Sequence, residues 1–306
     1  MTQNPQAPAD LPTPTPREAD ASAAPHSSDS TLDTGRIDHL LDGFDVGQVE
    51  ITVVGLGSGG ASAVQPLAMS GIRRWHLFDP DVLEPVNLVK HPATRPWLGR
   101  PKTEAVKSWI LDRNPEAQVE AYQEDVRAGQ AFAKAAASSA LVLCAVDDPA
   151  ARSWLNAQCV ELRRPCVTGS VIRTGLGGQV YLYVPGETGC FSCMQTVADR
   201  NGANLEDALD LTEEERRHRY GLGEANFTTS GLAIDIGMVA SFHAHMAWSV
   251  AVGGRSRYVP RLNFNWLTVG IRPERGVFAA HYETKRLLVK PQRDCVMGCS
   301  GAGEGA

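Results

Sequence analysis

The short stretch VVGLGSGG, residues 53–60, has the residue types and spacing of a turn that holds phosphate groups. Its glycines Gly55, Gly57 and Gly60 let the backbone turn tightly after a hydrophobic strand and approach a ligand. The segment that follows can start a helix, whose N-terminal amides attract anions. By itself this pattern fits a dinucleotide, ATP, or a turn required only by packing.

Asp79 stands at the end of the second hydrophobic strand, where a carboxylate can accept hydrogen bonds from ribose hydroxyls. A ribose-binding carboxylate at this position fits NAD and ATP equally well. The proline-rich connection that follows carries Asn87, Lys90 and Lys102. Reaction at the α-phosphate of a triphosphate develops negative charge that cations stabilise, whereas a dehydrogenase has no general need for cations there. The combination favours ATP.

Two carboxylates follow the apolar run ALVLCAV, directly before Pro149. Asp147 is placed to hold Mg²⁺ against the phosphates, with Asp148 as the alternative ligand. For Asp148 we favour a different role, the N-cap of the helix that begins at Pro149.

Four of the seven cysteines form two close pairs, Cys190 with Cys193 and Cys295 with Cys299. Each pair is short enough to turn around one tetrahedral Zn²⁺, so we predict a closed structural zinc site that ties the C-terminal end to the middle of the fold. The start of the chain lacks the features of a secretion signal, which favours a reducing, cytoplasmic location and metal ligands over disulfides.

These residues require a sheet to position them. From Val49 onward, short β-rich runs alternate with amphipathic segments, which predicts an α/β fold with a doubly wound, Rossmann-like, mostly parallel sheet. The later runs GLGGQVYLYVPG, RYVPRLNFNWLTVG and GVFAAHYETKRLLV predict antiparallel C-terminal strands. We expect a disordered tail over 1–45, one folded domain over 46–299 with a polar crossover segment at about 195–229, and a flexible tail over 300–306.

The apolar stretch from Gly231 to Gly253 is long enough to cross a bilayer. Asp235, His243 and His245 oppose that role, so we predict a buried helix and no membrane association. The two histidines are two positions apart and face different sides of a helix, which makes them core or surface residues rather than a ligand pair. The net charge of −6 and the lack of basic runs argue against nucleic acid as the main partner.

Several motifs together resemble the ThiF-like adenylyltransferases of the ubiquitin-activating enzyme superfamily, from about Ile51 to Cys299. They are GLGSGG, FDPDVLEPVNLVKH, GRPKTEA, VDDPAARSWLN, PCVTGSV and the two cysteine pairs. The resemblance implies that the turn glycines line the nucleotide, Asp79 binds the ribose, Asn87 and Lys102 contact phosphates, and Asp147 organises Mg²⁺. Lys90 stands where the family usually has an arginine. The positive charge is kept, but the guanidinium that could form two parallel hydrogen bonds to a phosphate is lost.

The function implied by the resemblance is ATP- and Mg²⁺-dependent activation of the C-terminal carboxylate of a ubiquitin-like or sulfur-carrier protein as an acyl-adenylate. It also implies a homodimer, with Arg36 as a candidate for reaching the neighbouring site. Two alternatives remain open: activation of a peptide or tRNA substrate, and a non-catalytic nucleotide-binding scaffold. An NAD-dependent oxidoreductase is disfavoured by Lys102 and the cysteine pairs.

The crossover segment departs from the family pattern, because Phe227 occupies the position where a catalytic cysteine often stands. No cysteine lies between Met194 and Asp294, so a thioester on this segment is excluded. Transfer would then use a separate cysteine-bearing conjugating protein. The other three cysteines, Cys144, Cys159 and Cys166, are expected to be small buried hydrophobes.

Overall fold

The fold is built on eight strands in this computed structural model, which describes residues 32–172, 175–200, 231–273 and 277–300. The strands are β1 (Glu50–Val54), β2 (Arg74–Phe78), β3 (Gln118–Tyr122), β4 (Leu141–Cys144), β5 (Cys166–Val171), β6 (Gly177–Tyr183), β7 (Trp266–Gly270) and β8 (Glu283–Leu287). They form one sheet in the spatial order β3-β2-β1-β4-β5-β6-β7-β8. The order reverses between β1 and β4, which is where such sheets bind ligands.

Strands β1 to β5 are parallel, as predicted, and β1 lies at the centre of this half. Ile51 stands opposite Trp75 on one neighbour, and Val53 stands opposite Leu143 on the other. All four side chains are almost fully buried. Continuous hydrophobic runs of this kind are typical of parallel strands that are covered on both faces.

Six helices lie in the described residues: α1 (Ser58–Met69), α2 (Lys102–Arg113), α3 (Ala131–Ser138), α4 (Pro149–Glu161), α5 (Phe191–Arg200) and α6 (Ala233–Val252). Val64 of α1 and Ala247 of α6 belong to one core cluster, and Phe132 of α3 and Leu155 of α4 belong to another. The doubly wound arrangement is therefore confirmed. None of the helices in these ranges has the length and apolar character needed to cross a membrane.

The second half of the sheet is antiparallel, which confirms the prediction for the late strands. Strand β6 returns against β5, and β7 and β8 continue the antiparallel order. Helix α6 is the segment that resembled a membrane span. In the structure it packs against α1, β5 and β6, and Asp235 in its first turn is buried.

The folded part of the chain begins before residue 46, where the sequence placed its start. Leu41 is buried and packs with the core, because two single-turn helices at Asp38–Leu40 and Val46–Gln48 lead the chain into β1. Arg36 lies in an exposed turn. The predictions for residues 1–31, for most of the crossover segment including Phe227, and for 301–306 lie outside the described residues.

Candidate nucleotide site and cysteine cluster

A cavity of about 410 Å³ opens at the carboxyl ends of the parallel strands. Gly55 and Gly57 after β1, Asp79 after β2, and Asp147 after β4 all border it. Its volume lies in the range of small-molecule sites. The structure thus brings together residues that are far apart in the chain and that the sequence assigned to one ligand.

The glycine turn is tight and leads into a helix whose first amides have no side-chain cap. Gly55 has a φ of +88°, and a Cβ there would lie 2.8 Å from the carbonyl of Ala145. Gly57 is the N-cap of α1 and provides no capping side chain, so the first amides of the helix remain available to an anion. Gly60 is not on the cavity wall: a Cβ there would overlap the Gly55 carbonyl oxygen, so this glycine lets the helix pack against the turn.

Asp79 lines the cavity and is held in place by backbone hydrogen bonds. It is 4% exposed, and it accepts hydrogen bonds from the backbone N–H of Leu56 at 2.6 Å and of Asp81 at 2.9 Å. Burial raises the pKa of its carboxyl group, and nearby Lys102 and the two N–H groups partly offset that effect. Fixed acceptor oxygens at this position suit ribose hydroxyls.

Lys102 is the first residue of α2 and is 8% exposed. Its ammonium group donates to Asp81 Oδ2 at 2.7 Å and lies 4.0 Å from Asp79 Oδ1. The cation is therefore fixed between two carboxylates beside the cavity. The sequence did not assign Asp81 to the site, although the motif DPD at the end of β2 contains it.

The two other predicted phosphate contacts differ in placement. Lys90 borders the cavity. Asn87 does not line it: its Oδ1 accepts a hydrogen bond from the backbone N–H of Glu84 at 2.9 Å, inside a capping box that fixes the single-turn helix at Pro85–Val89. In this conformation the Asn87 side chain shapes the loop that carries Lys90.

The two adjacent carboxylates after β4 have separate surroundings. Asp148 Oδ1 accepts from the backbone N–H of Ala150 at 2.9 Å, which confirms the predicted N-cap of α4. Its other oxygen is 3.0 Å from Nη1 of Arg127. Asp147 borders the cavity, and its carboxylate is the kind of oxygen ligand that Mg²⁺ prefers. The donor chemistry at Asp147 therefore fits a magnesium ion held against phosphates.

Two arginines on the cavity wall had no assigned role from the sequence. Arg127 is bound by Asp125 at 2.6 Å and by Asp148, so it links the loop after β3 to the start of α4. Arg152 donates to the carbonyl of Val146 at 2.8 Å. Nothing in the spacing of Arg127 indicated this contact, because the loop after β3 carries no motif.

His243 is also on the cavity wall, beside Gly169 of β5. Its Nε2 is 2.8 Å from the carbonyl oxygen of Val167, and a Cβ at Gly169 would collide with the ring. Burial lowers the pKa of His243 to about 4. It is a neutral core histidine and His245 is exposed, so the two histidines lie on different sides of the helix, as predicted.

The four predicted cysteine ligands converge at one place. Their Sγ atoms all lie within 4.8 Å of one another, with Cys190–Cys295 at 3.5 Å and Cys193–Cys299 at 3.4 Å. Four sulfurs bound at 2.3 Å around a tetrahedral zinc stand about 3.8 Å apart. These separations are far longer than a disulfide bond, so the cluster fits one Zn²⁺.

Groups outside the cluster hold these sulfurs in place. Asn156 of α4 donates from Nδ2 to Cys190 Sγ at 3.7 Å, and its Oδ1 accepts from the backbone N–H of Phe191 at 2.8 Å. The backbone N–H of Gln292 donates to Cys193 Sγ at 3.4 Å. Such donors stabilise thiolates and orient metal ligands. Asn156 is the last residue of the motif VDDPAARSWLN, and the sequence assigned it no role.

A glycine turn, a buried carboxylate and a fixed lysine border one cavity at the switch point of a doubly wound sheet, which is the arrangement of an α/β protein with a candidate nucleotide site. The same chain carries a four-cysteine cluster that could hold a metal ion. The ThiF family model matches residues 44–269. The chain belongs to the ThiF family, which confirms the resemblance seen in its motifs.

Curated relatives carry related activities in their names. Ubiquitin-like modifier-activating enzyme 5 of Arabidopsis thaliana is 25% identical over 83% of this chain and 61% of its own length. Sulfur carrier protein ThiS adenylyltransferase of Escherichia coli K12 is 33% identical over 47% of this chain and 57% of its own length. This chain thus spans less than two thirds of either relative.

Solved structures share the fold at lower identity. E. coli MccB in complex with MccA-N7isoASN superposes with a TM-score of 0.62 and 21% identity, over 83% of this chain and 68% of that chain. PaaA superposes with a TM-score of 0.61 and 18% identity, over 82% and 78% of the two chains.

Proposed function

We propose that this protein is an ATP- and Mg²⁺-dependent adenylyltransferase that activates the C-terminal carboxylate of a ubiquitin-like or sulfur-carrier protein as an acyl-adenylate. The observation that carries the proposal is the convergence of Gly57, Asp79, Lys102 and Asp147 on one cavity. The names of the curated relatives support the reaction class and the class of substrate.

In the proposed reaction, a carboxylate oxygen of the substrate attacks the α-phosphorus of ATP and pyrophosphate leaves. The step needs no protein nucleophile, because positioning and charge stabilisation supply the catalysis. The amides at the start of α1 and the ammonium groups of Lys90 and Lys102 bind the phosphates. Asp79 fixes the ribose. Asp147 would hold Mg²⁺, which when bound offsets negative charge on the phosphates.

The cysteine cluster would hold Zn²⁺ in a closed four-thiolate site. All four positions of such a site are filled by protein ligands, so it supplies structure and no open coordination position. Its effect is to join the start of α5, near Cys190 and Cys193, to the C-terminal segment with Cys295 and Cys299.

Acyl transfer after adenylation is proposed to use a cysteine of a separate conjugating protein. Cys144, Cys159 and Cys166 are at most 6% exposed, as expected for small core residues. Burial raises the pKa of the Cys144 thiol to about 12. A thiol that is both inaccessible and protonated is a poor acceptor. We also propose a cytoplasmic homodimer in which the exposed Arg36 reaches the partner's site.

ATP–pyrophosphate exchange tests the proposal. The purified protein is incubated with ATP, Mg²⁺ and labelled pyrophosphate, together with a ubiquitin-like protein, a sulfur carrier, a short peptide or tRNA in separate reactions. Exchange that depends on a carrier protein and disappears in Lys102→Gln supports the assignment. Exchange that occurs only with the peptide or with tRNA would assign that molecule as the substrate class instead. ATP binding without exchange for any candidate would indicate a non-catalytic scaffold.

A further inference from the structure

Two side chains from outside the glycine turn hold the backbone of Leu56, which stands between Gly55 and Gly57 and has no exposed surface. The backbone N–H of Leu56 donates to Asp79 Oδ2 at 2.6 Å. Its carbonyl oxygen lies 2.8 Å from Nε2 of His91. His91 belongs to the connection after β2 and follows Lys90 directly. This connection therefore fixes the glycine turn through one histidine.

Both ring nitrogens of His91 are engaged, which determines where its proton lies. Nδ1 accepts a hydrogen bond from the backbone N–H of Ala93 at 3.0 Å, so Nε2 carries the proton and donates it to the Leu56 carbonyl. His91 is 6% exposed. Burial lowers its pKa, the contact with Leu56 opposes that effect, and the charge of Lys102 adds to it. The ring is therefore neutral at pH 7, and it acts on backbone groups alone.

The carbonyl that His91 holds belongs to the same peptide group as the N–H of Gly57. The peptide bond is trans and planar, so this N–H points away from the carbonyl and from His91. Gly57 borders the nucleotide cavity, whereas Leu56 and His91 lie behind its wall. Among the described residues, the Gly57 N–H has no hydrogen-bond partner. A bond to the carbonyl both orients and polarises the N–H on the other side of the peptide.

We propose that His91 is a positioning residue for the phosphates of the nucleotide. Its hydrogen bond to the Leu56 carbonyl fixes the Leu56–Gly57 peptide group so that the Gly57 N–H is ready to donate to a phosphate oxygen. This inference rests on the proposed function, because it takes ATP as the ligand whose phosphates lie at the turn. A donor that is already oriented needs little reorganisation when the negative charge arrives.

Two amide substitutions separate the two contacts of the ring. In His91→Gln the amide nitrogen can take the place of Nε2 and donate to Leu56, while the acceptor for the Ala93 N–H is lost. In His91→Asn the shorter side chain can offer its amide oxygen to Ala93, and it does not reach Leu56. Each variant loses one buried hydrogen bond to the backbone, so both should unfold at similarly lowered urea concentrations.

The test measures ATP binding to the full-length protein by titration calorimetry with Mg²⁺, together with pyrophosphate exchange. We expect His91→Gln to bind ATP within about threefold of wild type and His91→Asn to bind it about 10-fold more weakly or worse, because the Leu56 carbonyl is left without its donor. Phosphates are bound before and during the reaction, so the loss should raise KM for ATP more than it lowers kcat.

His245→Asn is the matched control, since His245 is exposed on α6 and does not border the cavity. It should keep the wild-type ATP affinity and unfolding midpoint. Circular dichroism checks that each variant is folded. If His91→Asn does not fold, His91→Gln still decides against the inference when it is folded and binds ATP about 10-fold more weakly than wild type.

The outcomes also separate this inference from the proposed function. Equal ATP affinities in His91→Gln and His91→Asn, at any level, would overturn the inference, because binding would not follow the Leu56 contact. If the two variants differ as expected and wild type catalyses no exchange with any candidate substrate, the inference stands and adenylation fails. If wild type does not bind ATP, both fail. Weaker ATP binding in His91→Asn alone, with equal unfolding midpoints in the two variants, supports the inference.

Discussion

The ammonium group of Lys102 lies 2.7 Å from the carboxylate of Asp81, and this pair fixes the most buried cation of the nucleotide site. Asp79 stands 4.0 Å away on the other side. Because the cation is already held in position, little reorganisation is needed when negative charge develops on a phosphate nearby. Asp81 thus acts through Lys102, although its own side chain is 64% exposed.

Lys102→Gln is expected to lower the rate of adenylation by about 10²- to 10³-fold, since it removes a preorganised charge near the reacting phosphate. Asp81→Asn should have a smaller effect, because Lys102 keeps its charge and its proximity to Asp79. Pyrophosphate exchange under saturating ATP measures both. A larger loss in Asp81→Asn than in Lys102→Gln would show that Asp81 has a direct role.

The substitutions Asp147→Ala and Asp148→Ala should have different effects on pyrophosphate exchange and on stability. Asp147→Ala is expected to abolish exchange with little change in ATP affinity, because a metal ligand contributes most where charge develops in the transition state. Asp148→Ala removes the N-cap of α4 and should cost about 1 kcal/mol of unfolding free energy while exchange persists. Normal exchange in Asp147→Ala together with an inactive Asp148→Ala would reverse the assignment.

Asp79→Ala offers a third comparison at the same cavity. Its carboxylate is placed to bind the ribose, which is bound equally in the ground state and the transition state. We therefore expect weaker ATP binding, seen as a raised KM, with kcat less affected than in Asp147→Ala. Calorimetry with ATP and exchange kinetics on the two variants decide whether the roles divide in this way.

His243 makes stability depend on pH. Its pKa is lowered by burial to about 4 in the folded state, against about 6.5 when unfolded. Above pH 6.5 this group is neutral in both states and does not lower the free energy of unfolding. As pH falls from 6.5 toward 4, the unfolded chain binds a proton that the folded chain does not, so the free energy of unfolding decreases. By pH 5 the loss from this group is about 2 kcal/mol. Urea unfolding at pH 7 and pH 5 measures it.

His243→Gln is the matched variant, because a neutral amide can still donate to the Val167 carbonyl without titrating. The difference in unfolding free energy between wild type and this variant should become less favourable to wild type as pH falls from 7 to 5. A constant difference over that range would mean that His243 does not carry the pH dependence.

The sequence predicted many of the residues that border the cavity because they are tied to strand ends. Gly55 and Asp79 come directly after strands, and Asp147 lies three residues beyond the end of β4. Parallel strands bring their carboxyl ends to one edge of the sheet. Lys102 could be assigned from its position on the connection after Asp79 and from the resemblance. Its partner Asp81 could not, because the pair depends on how α2 docks. Arg127 reaches the cavity from the loop after β3, which carries no motif. His243 reaches it from α6, which follows the whole crossover segment, so the sequence did not indicate either contact.

Gly60 and Asn87 show that a motif also contains residues that do not line the cavity. Both belong to motifs that surround the nucleotide, so the resemblance placed both on it. In the structure Gly60 is needed for close packing of α1 on the turn, and the Asn87 side chain closes a capping box. A motif records every residue that a site needs, and spacing alone does not separate the residues that touch a ligand from those that hold the loops.

The cysteine cluster gives a prediction that does not depend on the nucleotide site. Purified protein should contain about one zinc per chain by metal analysis, and Cys190→Ser combined with Cys193→Ser should lose the metal and unfold at lower urea concentration. Structural zinc contributes on the order of 10 kcal/mol in small zinc peptides, and a larger fold depends on it less. Carefully prepared wild-type protein without zinc would contradict the assignment.

Asn156 permits a finer test of the same cluster, because it contacts Cys190 without being a ligand. Asn156→Ala removes the side-chain donor to that sulfur and the acceptor for the Phe191 N–H, and we expect zinc affinity to fall about 10- to 100-fold with one zinc still bound at saturation. Competition with a chromophoric chelator measures the affinity. Gln292→Ala is the control, since Gln292 contacts Cys193 through its backbone N–H, which alanine keeps. Equal affinities in Asn156→Ala and Gln292→Ala would show that the Asn156 contact does not support the metal.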